Sequence, residues 1–144
     1  MFRTGRISES DLKEVAALEA EIFSDAWSRK GLAETLEQPG AAMFGVWEDE
    51  MLAGYVILYF VLDEGEIERI AVRKALRRKG AARMLFECVL EFCREKRIER
   101  LFLEVRRSNA AAQAFYRKCG FQENGIRKNF YTNPSEDAIL YIWD

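Results

Sequence analysis

Between Glu66 and Phe121 the chain passes through an apolar strand, a basic turn, an amphipathic helix and a second apolar strand, and no other stretch restricts the fold as much. Ile67 to Val72 reads as the first strand. Leu85, Cys88, Val89 and Phe92 fall at i, i+3, i+4 and i+7, the spacing of one helix face. In the second strand, Leu101-Phe102-Leu103-Glu104-Val105, alternation sends Leu103 and Val105 to one face and Glu104 to the other.

The flanking sequence continues the mixture of strands and helices. Phe2 to Ile7 reads as a short strand, and Ser8-Glu9-Ser10-Asp11 as a capping box opening a helix with Leu12, Val15, Leu18 and Ile22 on one side. A second helix is predicted after Ser28 and before Pro39. Strands are predicted over Ala42 to Glu48 and Met51 to Phe60 around a turn at Asp49-Glu50. A helix after Ser108 and strands near Gln122 to Phe130 and Asp137 to Trp143 complete the series. No linker or repeat interrupts it, and 144 residues are too few for two ordinary domains. The expectation is one domain, residues 1–144, of mixed α/β class with a three-layer α/β/α arrangement.

Charge is segregated. Arg69 to Arg83 contains seven Lys/Arg and no Asp/Glu, so the rest of a chain of net charge −2 carries −9. Gly80 and Ala81 fall at the start of the predicted helix, where backbone N–H groups lack partners and the helix dipole is positive. Arg77, Arg78, Lys79 and Arg83 add cations to that anion-binding geometry. Neither G-x-x-x-x-G-K-[ST] nor a helix-opening G-x-G-x-x-G occurs, so the anion is not held by a Walker loop or a Rossmann turn.

Several classes of chemistry fall away. Without histidine, Ser-His-Asp and Cys-His catalysis are impossible and the commonest zinc constellations are absent. Three cysteines suggest neither a disulfide framework nor a metal cluster, and they read as small core residues in a reducing compartment. The longest apolar run, Tyr55 to Leu62, is strand length and too short to span a bilayer. No secretory pattern marks the N-terminal residues, and a cytoplasmic location is expected.

The order of motifs resembles a known family. R-x-x-G-x-A ending the basic turn, Leu103-Glu104-Val105-Arg106, Ser108-Asn109 and Phe115-Tyr116-Arg117-Lys118-Cys119-Gly120-Phe121 are similar to the GNAT acyltransferases, and most of all to the RimI-type N-terminal acetyltransferases. Arg127-Lys128-Asn129-Phe130-Tyr131 and Glu136-Asp137-Ala138-Ile139 extend the likeness, which weakens before Glu66. The chain departs from the family at Arg73-Lys74-Ala75, where a proline is usual, at Ala82, where glycine is common, and at Cys119, where leucine is.

The resemblance implies acetyl-CoA as co-substrate, no metal, and a protein N-terminal amine as acceptor, with the N-terminal alanine of a ribosomal protein as the leading candidate. It puts the pyrophosphate on Arg77, Arg78, Lys79, Gly80, Ala81, Ala82 and Arg83, and the pantetheine along the backbone of Ile70, Ala71 and Val72 as an added strand would lie. Taken alone, Glu104 is a solvated strand-end carboxylate and Tyr116 a core aromatic. The resemblance makes Glu104 the general base, directly or through a water, and Tyr116 the acid that protonates the departing thiolate. Asn109 caps a helix or, by resemblance, stands beside the cofactor. Trp27 and Tyr131 are aromatic candidates for a peptide channel, or core residues.

Two other readings remain open. An enzyme of the same family acting on a small amine or a lysine would share the cofactor site. An RNA-binding module would interleave aromatics with its cations, and none occurs between Arg69 and Arg83.

Overall fold

The computed structural model describes residues 1–144. Seven strands form one sheet: β1 (Phe2–Arg6), β2 (Ala41–Glu48), β3 (Met51–Val61), β4 (Glu64–Val72), β5 (Arg100–Arg106), β6 (Gln122–Tyr131) and β7 (Glu136–Trp143), in the order β1-β2-β3-β4-β5-β7-β6. Four helices, α1 (Leu12–Ile22), α2 (Arg29–Leu36), α3 (Ala81–Lys96) and α4 (Ala110–Lys118), cover its faces. The expected α/β/α layering is what the chain adopts. No helix is long and apolar enough to cross a membrane.

Side-chain alternation along the strands separates two cores. Met43, Trp47, Tyr55 and Ile57 face α1 and α2, where they bury Leu12, Val15, Leu18 and Leu32. Phe44, Val46, Val56, Leu58, Leu101, Leu103 and Val105 face the other way, against Leu85, Phe86, Val89 and Phe92 of α3. Each such aliphatic or aromatic side chain contributes roughly 1.5–3 kcal/mol by leaving water. The predicted face of α3 is therefore its packing stripe, except that Cys88 lies half-buried while Cys93 is buried.

Local signals explain the boundaries. Ser8 N–H donates to Asp11 Oδ2 at 2.8 Å, closing one arm of the capping box ahead of α1. The Ser28 hydroxyl accepts from Gly31 N–H at 3.0 Å and starts α2. Arg97, at φ 59°, ends α3, and Ile98 N–H closes onto Cys93 O at 2.9 Å. All strands run antiparallel to their neighbours except β4 and β5, whose parallel pairing requires the α3 crossover.

Candidate active site

The sheet opens at its centre. β4 and β5 pair at three positions, Glu64↔Arg100, Gly65↔Leu101 and Glu66↔Phe102, and then diverge. The cause is in β4: Ile57 of β3 faces Arg69 and Leu58 faces Ile67, leaving Glu68 without an opposite residue. An extra residue of this kind bends the bulged strand and increases its twist. β5 stays straight, held by six pairs to β7 from Leu101↔Trp143 to Arg106↔Ala138. Gly54 of β3 permits close approach to the bent end of β4, since a Cβ there would lie 2.5 Å from Ala71 O.

Two clefts enter the resulting gap from opposite faces. One, of about 630 Å³, lies on the α1/α2 face between the α1–α2 loop, the bulged part of β4, Glu104 and the β6–β7 loop. The other, of about 970 Å³, lies on the α3/α4 face between Val72, the basic turn and the small side chains of α4. Both are lined by Ile22, Phe23, Ile70, Asn109, Ala112 and Tyr116, so they meet inside the sheet.

The basic turn borders the second cleft. Arg78 at φ 65° and Gly80 at φ 90° curl the chain into α3. The backbone N–H groups from Arg78 to Arg83 donate to no acceptor in the protein, the first backbone bond of α3 being Met84 N–H to Gly80 O at 3.1 Å. A Cβ on Gly80 would meet nothing within 4 Å, so the turn is open at that residue. Successive unpaired amides at a helix start form an anion cradle.

The seven cations counted in the sequence do not all serve it. Arg69 is paired with Glu19 at 3.3 Å and Asp25 at 3.2 Å on the opposite face of the sheet. Arg73 donates to Leu52 O at 3.1 Å and approaches Glu21 at 3.8 Å. Arg77, expected at the anion, turns its Nε back onto Val72 O at 3.0 Å and braces the turn. Arg83 lies 3.4 Å from Glu87 and donates to Cys119 Sγ at 3.5 Å. Arg78, Lys79 and Lys74 remain exposed without an ion-pair partner.

Backbone parity refines the strand-edge expectation. Arg73 N–H donates to Ala53 O at 2.7 Å. In an antiparallel ladder, residues of the same parity share that direction, so Ala71 also turns its peptide groups toward β3. Ile70 and Val72 point theirs into the gap, where Val72 O meets Arg77. Of the expected trio, Ala71 therefore offers no free backbone group to the cleft.

Glu104 stands on the face opposite Leu103 and Val105, in the first cleft. Its carboxyl is 19% exposed, and Arg127 Nε lies 3.6 Å from Oε1. Burial pushes its pKa above the usual carboxylate range, Arg127 opposes that, and Glu66 adds to it. Glu68 is raised for the same reasons, by burial and then by Glu66 and Glu104. Four carboxylates thus line one cleft, Asp25 already paired with Arg69 and Glu66, Glu68 and Glu104 beside the bulge, and the sequence had singled out only Glu104.

Tyr116 reaches the junction from α4, its ring packed edge-on against Phe115 and Phe121. Its hydroxyl makes no side-chain hydrogen bond to the protein, and burial raises its pKa well above that of free tyrosine. The group therefore keeps its proton at neutral pH. Asn109 caps α4, accepting from Ala112 N–H at 3.1 Å, and also borders both clefts. Trp27 and Tyr131 both lie in the first cleft, with the Tyr131 phenol pushed up to about 12, mainly by burial.

Two arginines missed by sequence reasoning hold the loops around that cleft. Arg69 of β4 donates to Asp25 O at 3.0 Å and stacks on Phe23 at 4.1 Å. Arg106 of β5 donates to Thr132 O and Pro134 O, both at 3.0 Å, and stacks on Tyr131 at 4.5 Å. Each diverging strand thus carries the arginine that fixes the loop on its own side.

Known proteins share this fold. Residues 12–121 match the acetyltransferase (GNAT) family. A Bacillus subtilis (strain 168) protein, provisionally named a ribosomal protein bS18-alanine N-acetyltransferase, is 40% identical over 134 residues, covering 92% of this chain and 88% of its own. The ribosomal protein bS18-alanine N-acetyltransferase of Escherichia coli (strain K12) is 34% identical over 136 residues, covering 93% and 91%. The crystal structure of the Escherichia coli ribosomal-protein-S18-alanine N-acetyltransferase superposes with a TM-score of 0.90 at 32% identity, covering 99% of this chain and 93% of that one. Arabidopsis thaliana NAA60 in complex with acetyl-CoA shares the fold, with a TM-score of 0.91 at 16% identity and coverage of 99% and 98%.

Proposed function

The chain belongs to the acetyltransferase (GNAT) family, and from that premise we propose that it moves the acetyl group of acetyl-CoA onto the α-amine of a protein N-terminus, with the N-terminal alanine of ribosomal protein bS18 as its acceptor. The observation that carries the reading is the pair of clefts meeting at Tyr116, one ending on an anion cradle and the other lined by carboxylates. A phosphorylated donor and a cationic amine acceptor then approach from opposite faces of the sheet. Residues 1–144 would act as one catalytic domain, since a single sheet joins strands from both ends of the chain.

The residues present fit acetyl-CoA. The unpaired amides from Arg78 to Arg83, with the side chains of Arg78 and Lys79, would hold its pyrophosphate. The outward peptide groups of Ile70 and Val72 N–H would pair with its pantetheine amides, supplying the partner that β4 lacks beyond Glu66. Asn109 borders the path between the clefts.

On the acceptor side Glu66, Glu68 and Glu104 favour an ammonium group, and Glu104 takes its proton, directly or through a water. The Tyr116 hydroxyl, on a buried ring at the junction of the clefts, delivers its proton to the departing sulfur. Magnitudes favour an α-amine: at pH 7 an amine of pKa ~8 needs about 1.4 kcal/mol to deprotonate, and a lysine of ~10.4 about 4.6 kcal/mol. One carboxylate with a raised pKa suits the smaller demand. Trp27 and Tyr131 flank the path of the incoming peptide.

The test is transfer from acetyl-CoA to a short peptide with a free N-terminal alanine, read by mass spectrometry. The same peptide with its N-terminus blocked should take no acetyl group. Equal acetylation of an internal lysine in the blocked peptide would overturn the α-amine assignment.

A further inference from the structure

We propose that Glu19 is a positioning residue: through Arg69 and the Trp27 amide it fixes the α1–α2 loop that forms one wall of the acceptor cleft. Glu19 is fully buried, beneath the sheet face that α1 covers. A carboxylate so placed requires partners, and it has three. Tyr55 donates its hydroxyl to Oε1 at 2.6 Å, Trp27 its backbone N–H to Oε2 at 2.8 Å, and Arg69 Nε lies 3.3 Å from Oε1.

The remaining contacts of Arg69 go to the loop. Its guanidinium donates to Asp25 O at 3.0 Å and Asp25 Oδ1 at 3.2 Å, lies over the Phe23 ring at 4.1 Å, and faces Trp27 at 5.5 Å. The loop has little else to place it. Ser24 to Trp27 make no backbone-to-backbone hydrogen bond. The main-chain polar contacts of that segment with the rest of the fold are Trp27 N–H on Glu19 and Asp25 O under Arg69. A buried ion pair is weak as a source of stability, because desolvation offsets its attraction. The hydrogen bonds its two members make to the loop, Glu19 from the Trp27 amide and Arg69 to Asp25 O, together with the stack on Phe23, nevertheless specify where Phe23 and Trp27 stand.

This inference rests on the assignment of that cleft to the acceptor. It follows that loosening the pair acts chiefly on the KM for the peptide, because Ser24, Asp25 and Trp27 line the acceptor cleft alone, Phe23 borders both clefts, and Glu19 and Arg69 contribute no lining to the acetyl-CoA cleft. Glu19→Gln retains shape and removes charge. Arg69→Lys retains charge and removes the forked donor and flat face that hold the loop. Both should raise the KM for the alanine peptide at least tenfold, with kcat within about threefold and the acetyl-CoA Kd, from calorimetry, within about twofold of wild type.

Hydrogen exchange supplies a readout independent of turnover. The Trp27 amide should lose protection in Glu19→Gln while amides of β2 and β3 keep theirs. If Glu19→Gln does not fold, Arg69→Lys carries the same kinetic test and Asp25→Ala, at an exposed side chain, the exchange test across Ser24 to Trp27. Unchanged peptide KM, or parallel losses in kcat and acetyl-CoA affinity, would overturn the positioning role. Should the wild-type protein transfer nothing to the peptide, the functional reading fails, and the exchange result alone then decides whether Glu19 positions the loop.

Discussion

Replacing Glu104 with glutamine keeps the side chain's size and removes its basicity, and the structure says how the loss should depend on pH. In the wild type the carboxylate must be ionised to accept a proton. Burial and Glu66 raise its pKa, so activity falls as pH drops through a value above the ordinary carboxylate range. Above that value the wild-type rate levels off, because the base is then fully charged. The glutamine variant has no such limb and depends on amine already free in solution. For a pKa of ~8 that fraction is about 1% at pH 6, about 10% at pH 7 and about 50% at pH 8. The variant's rate should therefore climb roughly fiftyfold from pH 6 to pH 8, starting from a deficit at pH 7 of about 10² to 10⁴, the usual worth of general base assistance. Tyr116→Phe provides the contrast. Its deficit should persist across the same range, and its Tm should hold, because the hydroxyl it removes makes no side-chain hydrogen bond to the protein. The assay is turnover against pH for both variants at saturating acetyl-CoA. Near-normal activity of Glu104→Gln at pH 7, or a deficit that does not narrow toward pH 8, refutes the assignment.

Two further substitutions probe the electrostatics. Arg127 lowers the Glu104 pKa from 3.6 Å away, so Arg127→Gln should move the acidic limb of the wild-type profile to higher pH; a limb that stays or moves down rules out that influence. Gly80→Ala meets no atom within 4 Å and should cost only the left-handed backbone, about 1–2 kcal/mol of stability. Gly80→Asp adds a negative charge to the amide cradle and should also abolish measurable acetyl-CoA binding by calorimetry; equal affinities for the two variants would remove the phosphate from this turn.

Much of the architecture was readable in the sequence because the signals were local. The face of α3, the capping box before α1 and the alternation around Glu104 each involve residues within a few positions of one another. Charge counting was less informative. Arg69 belongs by position to the basic segment but is neutralised by Glu19, fifty residues away, and no linear count exposes a partner at that separation. Strand parity adds a second relation. In Glu66-Ile67-Glu68-Arg69-Ile70 the two isoleucines stand three apart, and the unpaired Glu68 shifts every later residue by one face. Arg69 thereby joins Tyr55 and Glu19, and Ile70 and Val72, rather than Ala71, turn their peptide groups to the gap. The break in alternation is written in β4, but its pairing with the β3 residues on either side of the bulge, Ile57 and Leu58, is a relation between strands that one strand's composition does not encode.

The divergence of β4 and β5 gives this sheet four edges instead of two. An exposed edge ordinarily invites pairing with another chain, and proteins shield such edges with charge, twist or cover. Here two of them lie inside the molecule, facing each other across a gap and flanked by α4 and the α1–α2 loop. They are unfinished secondary structure, so an extended ligand seated between them would complete a fold as well as occupy a site. The amides of Ile70 and Val72, though in a central strand, should exchange with solvent as readily as those of a border strand in the free protein. Saturation would then slow that exchange and raise Tm together, with about 2.7 kcal/mol of added stability at a hundredfold excess over Kd.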